Sequence, residues 1–175
     1  MRDKIRFKGI AFVHATLYGL FRDPYEPLRA AGIEEGQRVL EVGCGPGFFT
    51  LPAAEMLGED GHVVSIDVSP TAVDHVKSKV EAAGTTNVDV LLRNAAHTDF
   101  AGQSFDLVFV FGLGHVVGDL REMWNELHRL LRPGGSLAVE GRLRPPESLF
   151  RASSGHGRID CFSKMEQTDG SAGDL

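Results

Sequence analysis

The chain has 175 residues, 42% of them hydrophobic and 24% charged, which is the composition of one globular domain with an ordinary hydrophobic core. Its formal net charge of −6 argues against a nucleic-acid partner, because such a partner favours a broad basic surface. No signal-peptide pattern is present, and no apolar run approaches the roughly 18 residues of a membrane span. The two cysteines, Cys44 and Cys161, form no disulfide framework and match no metal-ligand spacing. We therefore expect a single-domain cytoplasmic protein without a metal site or a membrane partner.

The first predicted elements are two short helices in residues 9–31, interrupted around Asp23 and Pro24 because proline removes a backbone donor. They precede the first predicted strand. We expect this N-terminal helical cap, residues 1–37, to cover the carboxyl edge of that strand.

From residue 38 onward, short apolar runs alternate with segments of helical period. The runs are bounded by turn-forming residues and cover residues 38–43, 62–67, 87–92, 105–112 and 135–141. Their nearly continuous apolar character is typical of parallel strands that are covered on both faces. Strands alternating with crossover helices predict an α/β fold with a doubly wound, mostly parallel sheet.

Two of the intervening helices have clear boundaries in the sequence. Ser69 followed by Pro70 is a helix start and Gly84 a stop. A second helix is predicted to begin at Asp119, which forms a capping-box-like pair with Glu122, and to end at residues 132–135, Arg-Pro-Gly-Gly.

The C-terminal part, residues 142–168, is predicted to form a β-hairpin. Its strands lie in residues 148–153 and 158–166, with the connection at 154–157. The preceding segment is short and proline-rich, so only a shortened helix fits there. One face of the sheet would then be thinly covered, and an exposed apolar surface there makes a homodimer a hypothesis. Residues 169–175 are expected to be a frayed tail.

The chemistry of the chain centres on a glycine-rich turn after the first predicted strand. Gly43, Gly45 and Gly47 follow that strand, and ligands of open α/β sheets bind beyond the carboxyl ends of strands. A dinucleotide fingerprint needs glycine where Phe48 stands, and a P-loop needs a lysine followed by serine or threonine. Glu41, two residues before the first glycine, suits a cationic ligand better than a pyrophosphate.

Residues 39–50, "VLEVGCGPGFFT", resemble the first motif of class I S-adenosylmethionine-dependent methyltransferases of the small-molecule type. Later segments resemble further motifs of this family in the same order: "VVSIDVSP", "RNAAHTDF", "FDLVFVFGLGH" and "LHRLLRPGGSLAVE". The resemblance covers residues 38–141. It implies a Rossmann-like fold with a seven-stranded sheet, S-adenosylmethionine as cofactor and S-adenosylhomocysteine as product.

The resemblance also implies a set of cofactor-binding residues. They are Glu41, Gly43, Cys44, Gly45, Gly47, Asp67, Val68, Asn94, Ala95, Ala96 and Gly112. Asp67 would accept hydrogen bonds from both ribose hydroxyls, with Val68 beside the adenine. The family usually has Asp-Ala where this chain has Asn94-Ala95, and an asparagine accepts only through its carbonyl oxygen. Cys44 has no second cysteine or base near it, so we interpret it as a small buried hydrophobe.

The acceptor is expected to be a small molecule, because the chain is acidic and lacks the Asn/Asp-Pro-Pro-aromatic signature of nucleic-acid amino methyltransferases. His115, just after the fourth predicted strand, is a candidate general base, and a structural loop histidine explains it equally well. The tentative acceptor-binding residues are His14, Tyr18, Tyr25 and Leu113. Packing explains the aromatic residues of the cap about as well as acceptor binding does.

The sequence therefore predicts methyl transfer to a small molecule by in-line displacement, in which the protein mainly positions and desolvates the acceptor. One alternative is a non-catalytic S-adenosylmethionine-binding or regulatory module of the same fold. A nicotinamide-dependent oxidoreductase is disfavoured by Phe48 and by the lack of a Tyr-x-x-x-Lys pair.

Overall fold

The structure, a computed structural model, describes residues 23–113 and 119–166. The predictions for His14, Tyr18 and His115 and for the tail at 169–175 fall outside these residues. They stay predictions.

The described residues form one seven-stranded sheet with the strand order β3-β2-β1-β4-β5-β7-β6. The strands are β1 (Arg38–Val42), β2 (His62–Asp67), β3 (Val88–Leu92), β4 (Phe105–Val110), β5 (Leu131–Glu140), β6 (Phe150–His156) and β7 (Ile159–Lys164). Strands β1 to β5 pair in parallel, and β7 is antiparallel to both β5 and β6. The strand order reverses between β1 and β4, which is where open α/β sheets bind their ligands. The predicted fold class is confirmed.

Four helices accompany the sheet in the described part of the chain. They are α1 (Tyr25–Ala31), α2 (Thr50–Leu57), α3 (Pro70–Ala83) and α4 (Leu120–Leu130). The Ser69 side chain accepts from the Ala72 amide, and Gly84 ends α3 in a left-handed conformation with φ of 64°. Among these helices, none is long and apolar enough to cross a membrane.

Helix α4 differs from its prediction at both ends. Asp119 caps it by accepting from the Arg121 amide at 2.8 Å, but Glu122 faces His97 at 3.5 Å instead of completing a capping box. The helix ends at Leu130, and the Arg-Pro-Gly-Gly segment predicted to end it belongs to β5. The helix thus ends within two residues of the predicted stop. What the sequence did not predict is that the segment is part of β5, where Leu131 pairs with Phe105 of β4 and residues 132–135 form an irregularity without a partner on β4.

Alternating residues of the central strands point to opposite faces of the sheet, and each face has its own core. Val39, Val63 and Leu107 pack in a cluster with residues of α1 and α2. Their neighbours Leu40 and Val64 pack in a cluster that includes the buried residues of α4. The sheet is thus covered on both faces, as the continuous apolar runs indicated.

The N-terminal cap was expected to cover the carboxyl edge of β1, but its helix α1 does not lie there. It packs on a face of the sheet beside β5 and β7, and the Cys161 thiol of β7 lies 3.2 Å from the Ala30 carbonyl oxygen. Leu28 and Ala31 are buried in this contact.

The C-terminal hairpin forms as predicted, although β6 continues through His156 and the turn lies at Gly157 and Arg158. The expected shortened helix is a single turn, in which the amides of Leu149 and Phe150 both donate to the Pro146 carbonyl. The large exposed apolar side chains of the described residues are Val68, Leu92 and Leu120. None belongs to β5, β6 or β7, so the apolar surface that motivated a homodimer is not seen there. The homodimer stays a prediction.

Candidate active site

The glycine loop follows β1 at the point where the strand order reverses. The amides of Gly43 and Cys44 both donate to the Ile66 carbonyl of β2, at 2.8 and 3.1 Å, and the Gly47 amide donates to the Cys44 carbonyl at 2.8 Å. The three glycines have φ of 78°, 49° and 71°, in the region that L-residues with a side chain rarely adopt. The loop is therefore a fixed backbone structure that requires its glycines.

The space around the three glycines differs. A Cβ atom at Gly45 would meet nothing within 4 Å, so this residue presents bare backbone to open space. A Cβ atom at Gly47 would lie 2.9 Å from Val76 of α3, and one at Gly43 would lie 2.5 Å from the Leu113 side chain. Gly45 is thus the glycine that leaves room for a ligand, Gly47 permits helix packing, and Gly43 permits the close approach of Leu113.

Asp67 lies at the end of β2 and joins that strand to the glycine loop. Its Oδ2 atom accepts from the Gly45 amide at 2.9 Å, and Oδ1 accepts from the Ser69 amide at 2.8 Å. Each carboxylate oxygen has a second lone pair for a further donor. Val68 beside it is 45% exposed, so an apolar surface adjoins the carboxylate.

Glu41 and Lys79 support the loop from within the fold. The Glu41 carboxylate is buried and accepts from the hydroxyls of Ser65 and Thr50, the latter at 2.7 Å. Burial raises its pKa, and these two hydrogen bonds oppose the rise. The Lys79 ammonium of α3 donates to the carbonyls of Pro46 and Gly47, at 3.2 and 3.0 Å. Burial lowers the Lys79 pKa, and attraction to Glu41 opposes this.

Cys44 fits its interpretation as a small hydrophobe. It is 4% exposed and packs with Val73 and Val76 of α3. Burial raises the pKa of its thiol strongly, so the side chain stays protonated and is not a nucleophile.

The segment after β3 forms a tight turn. The Asn94 side-chain oxygen accepts from the Ala96 amide at 3.0 Å, and the Asn94 carbonyl accepts from the His97 amide at 3.0 Å. A role of Asn94 in adenine binding depends on its side-chain oxygen. This oxygen already accepts one hydrogen bond and has one lone pair left. Ala95 is partly buried, Ala96 is buried, and His97 is largely exposed.

A charged network that sequence reasoning missed holds this turn to α4. Glu126 accepts from the amide and the hydroxyl of Thr98, and its other oxygen accepts from Arg129 at 2.8 Å. Burial of Glu126 opposes its ionisation, but the hydrogen bonds from Arg129 and Thr98 outweigh burial and lower its pKa to about 2. Arg129 also donates to the Phe100 carbonyl at 2.8 Å, so the network bridges both ends of the segment.

A second carboxylate stands at the end of β5. Glu140 is buried, and its Oε2 atom accepts from the Gly112 amide, at the end of β4, at 3.1 Å. Its Oε1 atom lies 3.7 Å from Nε of Arg158, in the hairpin turn. Gly112, Glu140 and Arg158 line an open cleft of about 330 Å³ together with Leu113, Arg142 and Leu143. Sequence reasoning missed Glu140, although a carboxylate at a strand end is the same kind of signal as Asp67.

Tyr25 lies away from this cleft. Its hydroxyl donates to Glu55 of α2 at 2.6 Å, and this hydrogen bond raises the tyrosine pKa. Leu113, by contrast, lines the cleft and also reaches Gly43. Within the residues described, no group of three or more histidine, cysteine, aspartate or glutamate side chains is arranged to hold a metal ion.

The chain is similar in sequence to known methyltransferases. Residues 39–135 match a family model described as a methyltransferase domain. The chain is 35% identical over 121 residues to a demethylmenaquinone methyltransferase of Listeria welshimeri, covering 69% of this chain and 51% of that protein. It is 26% identical over 149 residues to an arsenite methyltransferase of Halobacterium salinarum, covering 79% of this chain and 38% of that protein.

Among solved structures, a SAM-dependent methyltransferase from Aquifex aeolicus superposes with a TM-score of 0.72 at 25% identity. The match covers 91% of this chain and 96% of that one. The chain spans about half the length of the demethylmenaquinone methyltransferases that it matches.

Proposed function

Since the chain belongs to the class I S-adenosylmethionine-dependent methyltransferase family, we propose that it transfers the methyl group of this cofactor to a small-molecule acceptor. The observation that carries the proposal is the hydrogen bond between the Gly45 amide and the Asp67 carboxylate. The Gly45 amide is held by the carboxylate at 2.9 Å, and the backbone beside it faces open space.

The residues present fit the cofactor. Bare backbone at Gly45 leaves room for its methionine part, and Asp67 keeps a free lone pair on each oxygen for the two ribose hydroxyls. Val68 offers an exposed apolar surface for the adenine, and the Ala95 amide, in the turn after β3, donates to no described residue. Glu41 acts indirectly, because its hydrogen bonds tie Thr50 at the start of α2 to Ser65 of β2.

When bound, S-adenosylmethionine supplies an electrophilic methyl group whose leaving group, a thioether, needs no further activation. The remaining task of the chain is to present the acceptor in line and to exclude water. The cleft beyond β4 and β5 is where we place the acceptor, because Leu113 borders both this cleft and Gly43. His115 lies two residues after Leu113 in the sequence, and we propose it as the base for acceptors that must lose a proton.

Two relatives are a demethylmenaquinone methyltransferase and an arsenite methyltransferase, and these names support a small acceptor. The alternative of a binding module without turnover predicts cofactor affinity with no methyl transfer. A nicotinamide cofactor would compete for Asp67, but Phe48 stands where its pyrophosphate turn needs glycine.

Calorimetry with S-adenosylmethionine and S-adenosylhomocysteine tests the proposal. We expect micromolar binding of both, and a loss of at least about tenfold in affinity for Asp67→Ala, because two hydroxyl donors lose a charged acceptor. The matched control is Asp74→Asn, an exposed carboxylate on α3. No binding of either compound at millimolar concentration, or equal losses in the two variants, would overturn the proposal.

A further inference from the structure

We propose that the methyl acceptor carries an anionic group, a carboxylate or a phosphate, which Arg142 and Arg158 bind in the cleft beyond β4 and β5. This inference rests on the proposed function, since the cleft is an acceptor site only if the glycine loop holds the methyl donor. It names the chemical class of the acceptor, which the family alone leaves open.

The cleft adjoins the place where the methyl group would be delivered. Leu113 lines the cleft, and its Cδ1 atom lies so close to Gly43 that a Cβ atom there would be 2.5 Å away. Gly112, the residue before it, is fixed by the hydrogen bond from its amide to Glu140. One side of the cleft is therefore continuous with the glycine loop, and the other side carries the arginines.

The two arginines are held near each other by the backbone. Arg142 lies two residues after Glu140 in the segment that leaves β5, and Arg158 lies in the turn of the hairpin. The Gly141 amide donates to the Arg158 carbonyl at 3.3 Å, which ties these two segments together. Both residues line the same cleft.

The charges of the cleft leave an excess of positive charge. Arg158 makes only a loose ion pair with Glu140, at 3.7 Å, and 58% of its side chain is exposed, so most of its five donors remain available. Arg142 is exposed and makes no ion pair or hydrogen bond with any residue that the structure describes. Arg144, close in sequence, is different, because it pairs with Asp160 at 3.0 Å.

Among the described residues that line the cleft, two guanidinium groups stand against one carboxylate, a net charge of about +1 in a chain whose formal net charge is −6. A guanidinium binds carboxylate and phosphate through two parallel hydrogen bonds, which orient the ligand as well as attract it. Such a contact would fix an acceptor at one end while its nucleophilic atom lies toward Leu113. An uncharged acceptor would gain nothing from the two arginines.

Anion binding to the complex with S-adenosylhomocysteine tests the inference without knowledge of the acceptor. Benzoate and inorganic phosphate are the two probes, titrated separately and followed by calorimetry and by the NMR signals of the arginine Nε–H groups. We expect at least one probe to bind in the millimolar range or tighter, to shift the Arg142 and Arg158 signals, and to bind more weakly as salt is added. The stronger probe tells whether a carboxylate or a phosphate is preferred.

Arg142→Gln is the test variant, since this side chain has no partner whose loss would disturb the fold of the described residues. Arg151→Gln is the matched control, because Arg151 is exposed on β6 and does not line the cleft. We expect Arg142→Gln to weaken the probe by about tenfold and Arg151→Gln to leave it unchanged.

The outcomes separate this inference from the proposed function. If S-adenosylhomocysteine binds but neither probe shifts the two arginine signals, the anionic acceptor is refuted and the methyltransferase stands. If Arg142→Gln and Arg151→Gln weaken probe binding equally, the anionic acceptor is also refuted, because the probe would then respond to the overall charge of the protein and not to the cleft. If S-adenosylhomocysteine itself does not bind, the proposed function fails and this inference fails with it.

Discussion

Replacing Glu126 by glutamine should destabilise the fold by an amount that depends on pH. The pKa of Glu126 is about 2 in the folded protein, against an ordinary value of 4.5. Because the folded pKa is depressed, the stabilisation is fully present above about pH 4.5 and is lost as pH falls toward 2. The shift corresponds to about 3.4 kcal/mol at neutral pH. The partner Arg129 is 45% exposed, so solvent screening makes this amount, and the values derived from it, upper bounds.

The assay is urea denaturation of both proteins at pH 7 and at about pH 3.5, followed by circular dichroism. At about pH 3.5 the linkage relation leaves about 2.0 kcal/mol of the contribution, because the carboxylates of the unfolded chain are by then mostly protonated. The difference in free energy of unfolding between wild type and Glu126→Gln should therefore shrink by about 1.4 kcal/mol from neutral to acid. Taking the difference cancels the titration of the other carboxylates.

Glu122→Gln is the matched control, since it lies one turn earlier on α4 and its side chain is half exposed beside His97. Its effect should be within about 0.5 kcal/mol at either pH. A difference between wild type and Glu126→Gln that stays constant with pH would show that Glu126 acts through packing alone. It would refute the role assigned to its hydrogen bonds with Arg129 and Thr98.

Three further predictions concern the glycine loop. Gly47→Ala should lower the free energy of unfolding by about 2–4 kcal/mol in urea denaturation, because a Cβ atom meets Val76 at 2.9 Å and φ is positive. Gly45→Ala should lower it by only about 1 kcal/mol, yet it should weaken cofactor binding more than Gly47→Ala does. A Gly45→Ala protein that is less stable than Gly47→Ala but binds the cofactor better would contradict the roles given to these glycines. Lys79→Met should cost about 1–2 kcal/mol by leaving two loop carbonyls without a donor, with recovery in Lys79→Arg; a methionine variant as stable as wild type would contradict this. Cys44 should resist iodoacetamide at about pH 8.5 in the native protein and react once urea is added, as measured by mass spectrometry, because burial raises its pKa; native labelling would contradict its burial.

The sheet was predictable from the sequence because burial on both faces leaves a local trace. Residues 38–43, 62–67 and 105–112 each contain consecutive apolar residues, and the three strands begin within one residue of where the runs do. Residues 132–135 follow the end of α4 as predicted, but the sequence did not predict that the strand begins before them. There the pairing of Leu131 with Phe105 extends β5 backward, and its partner lies 26 residues away in sequence.

The geometry of the glycine loop was also predictable in part, whereas its role in cofactor binding stays a proposal. Asp67 and the three glycines could be identified because each stands at a strand end or in a turn whose backbone demands it. Lys79 and Glu126 could not, because their partners lie about 30 residues away and the side chains themselves look like ordinary charged residues of a helix surface. Only the packing of helices against the loops reveals them.

Two carboxylates at strand ends fix two neighbouring loops at the same edge of the sheet. Asp67 ends β2 and accepts from the amide of Gly45 after β1, while Glu140 ends β5 and accepts from the amide of Gly112 after β4. Both glycines have positive φ and open space at the Cβ position. Since β1 and β4 are the neighbours between which the strand order reverses, the two pairs stand on opposite sides of that point. The proposed cofactor half and the proposed acceptor half thus share one feature, a carboxylate that fixes the loop of the adjacent strand. They differ in what surrounds it, which is bare backbone at Gly45 and two arginines near Gly112.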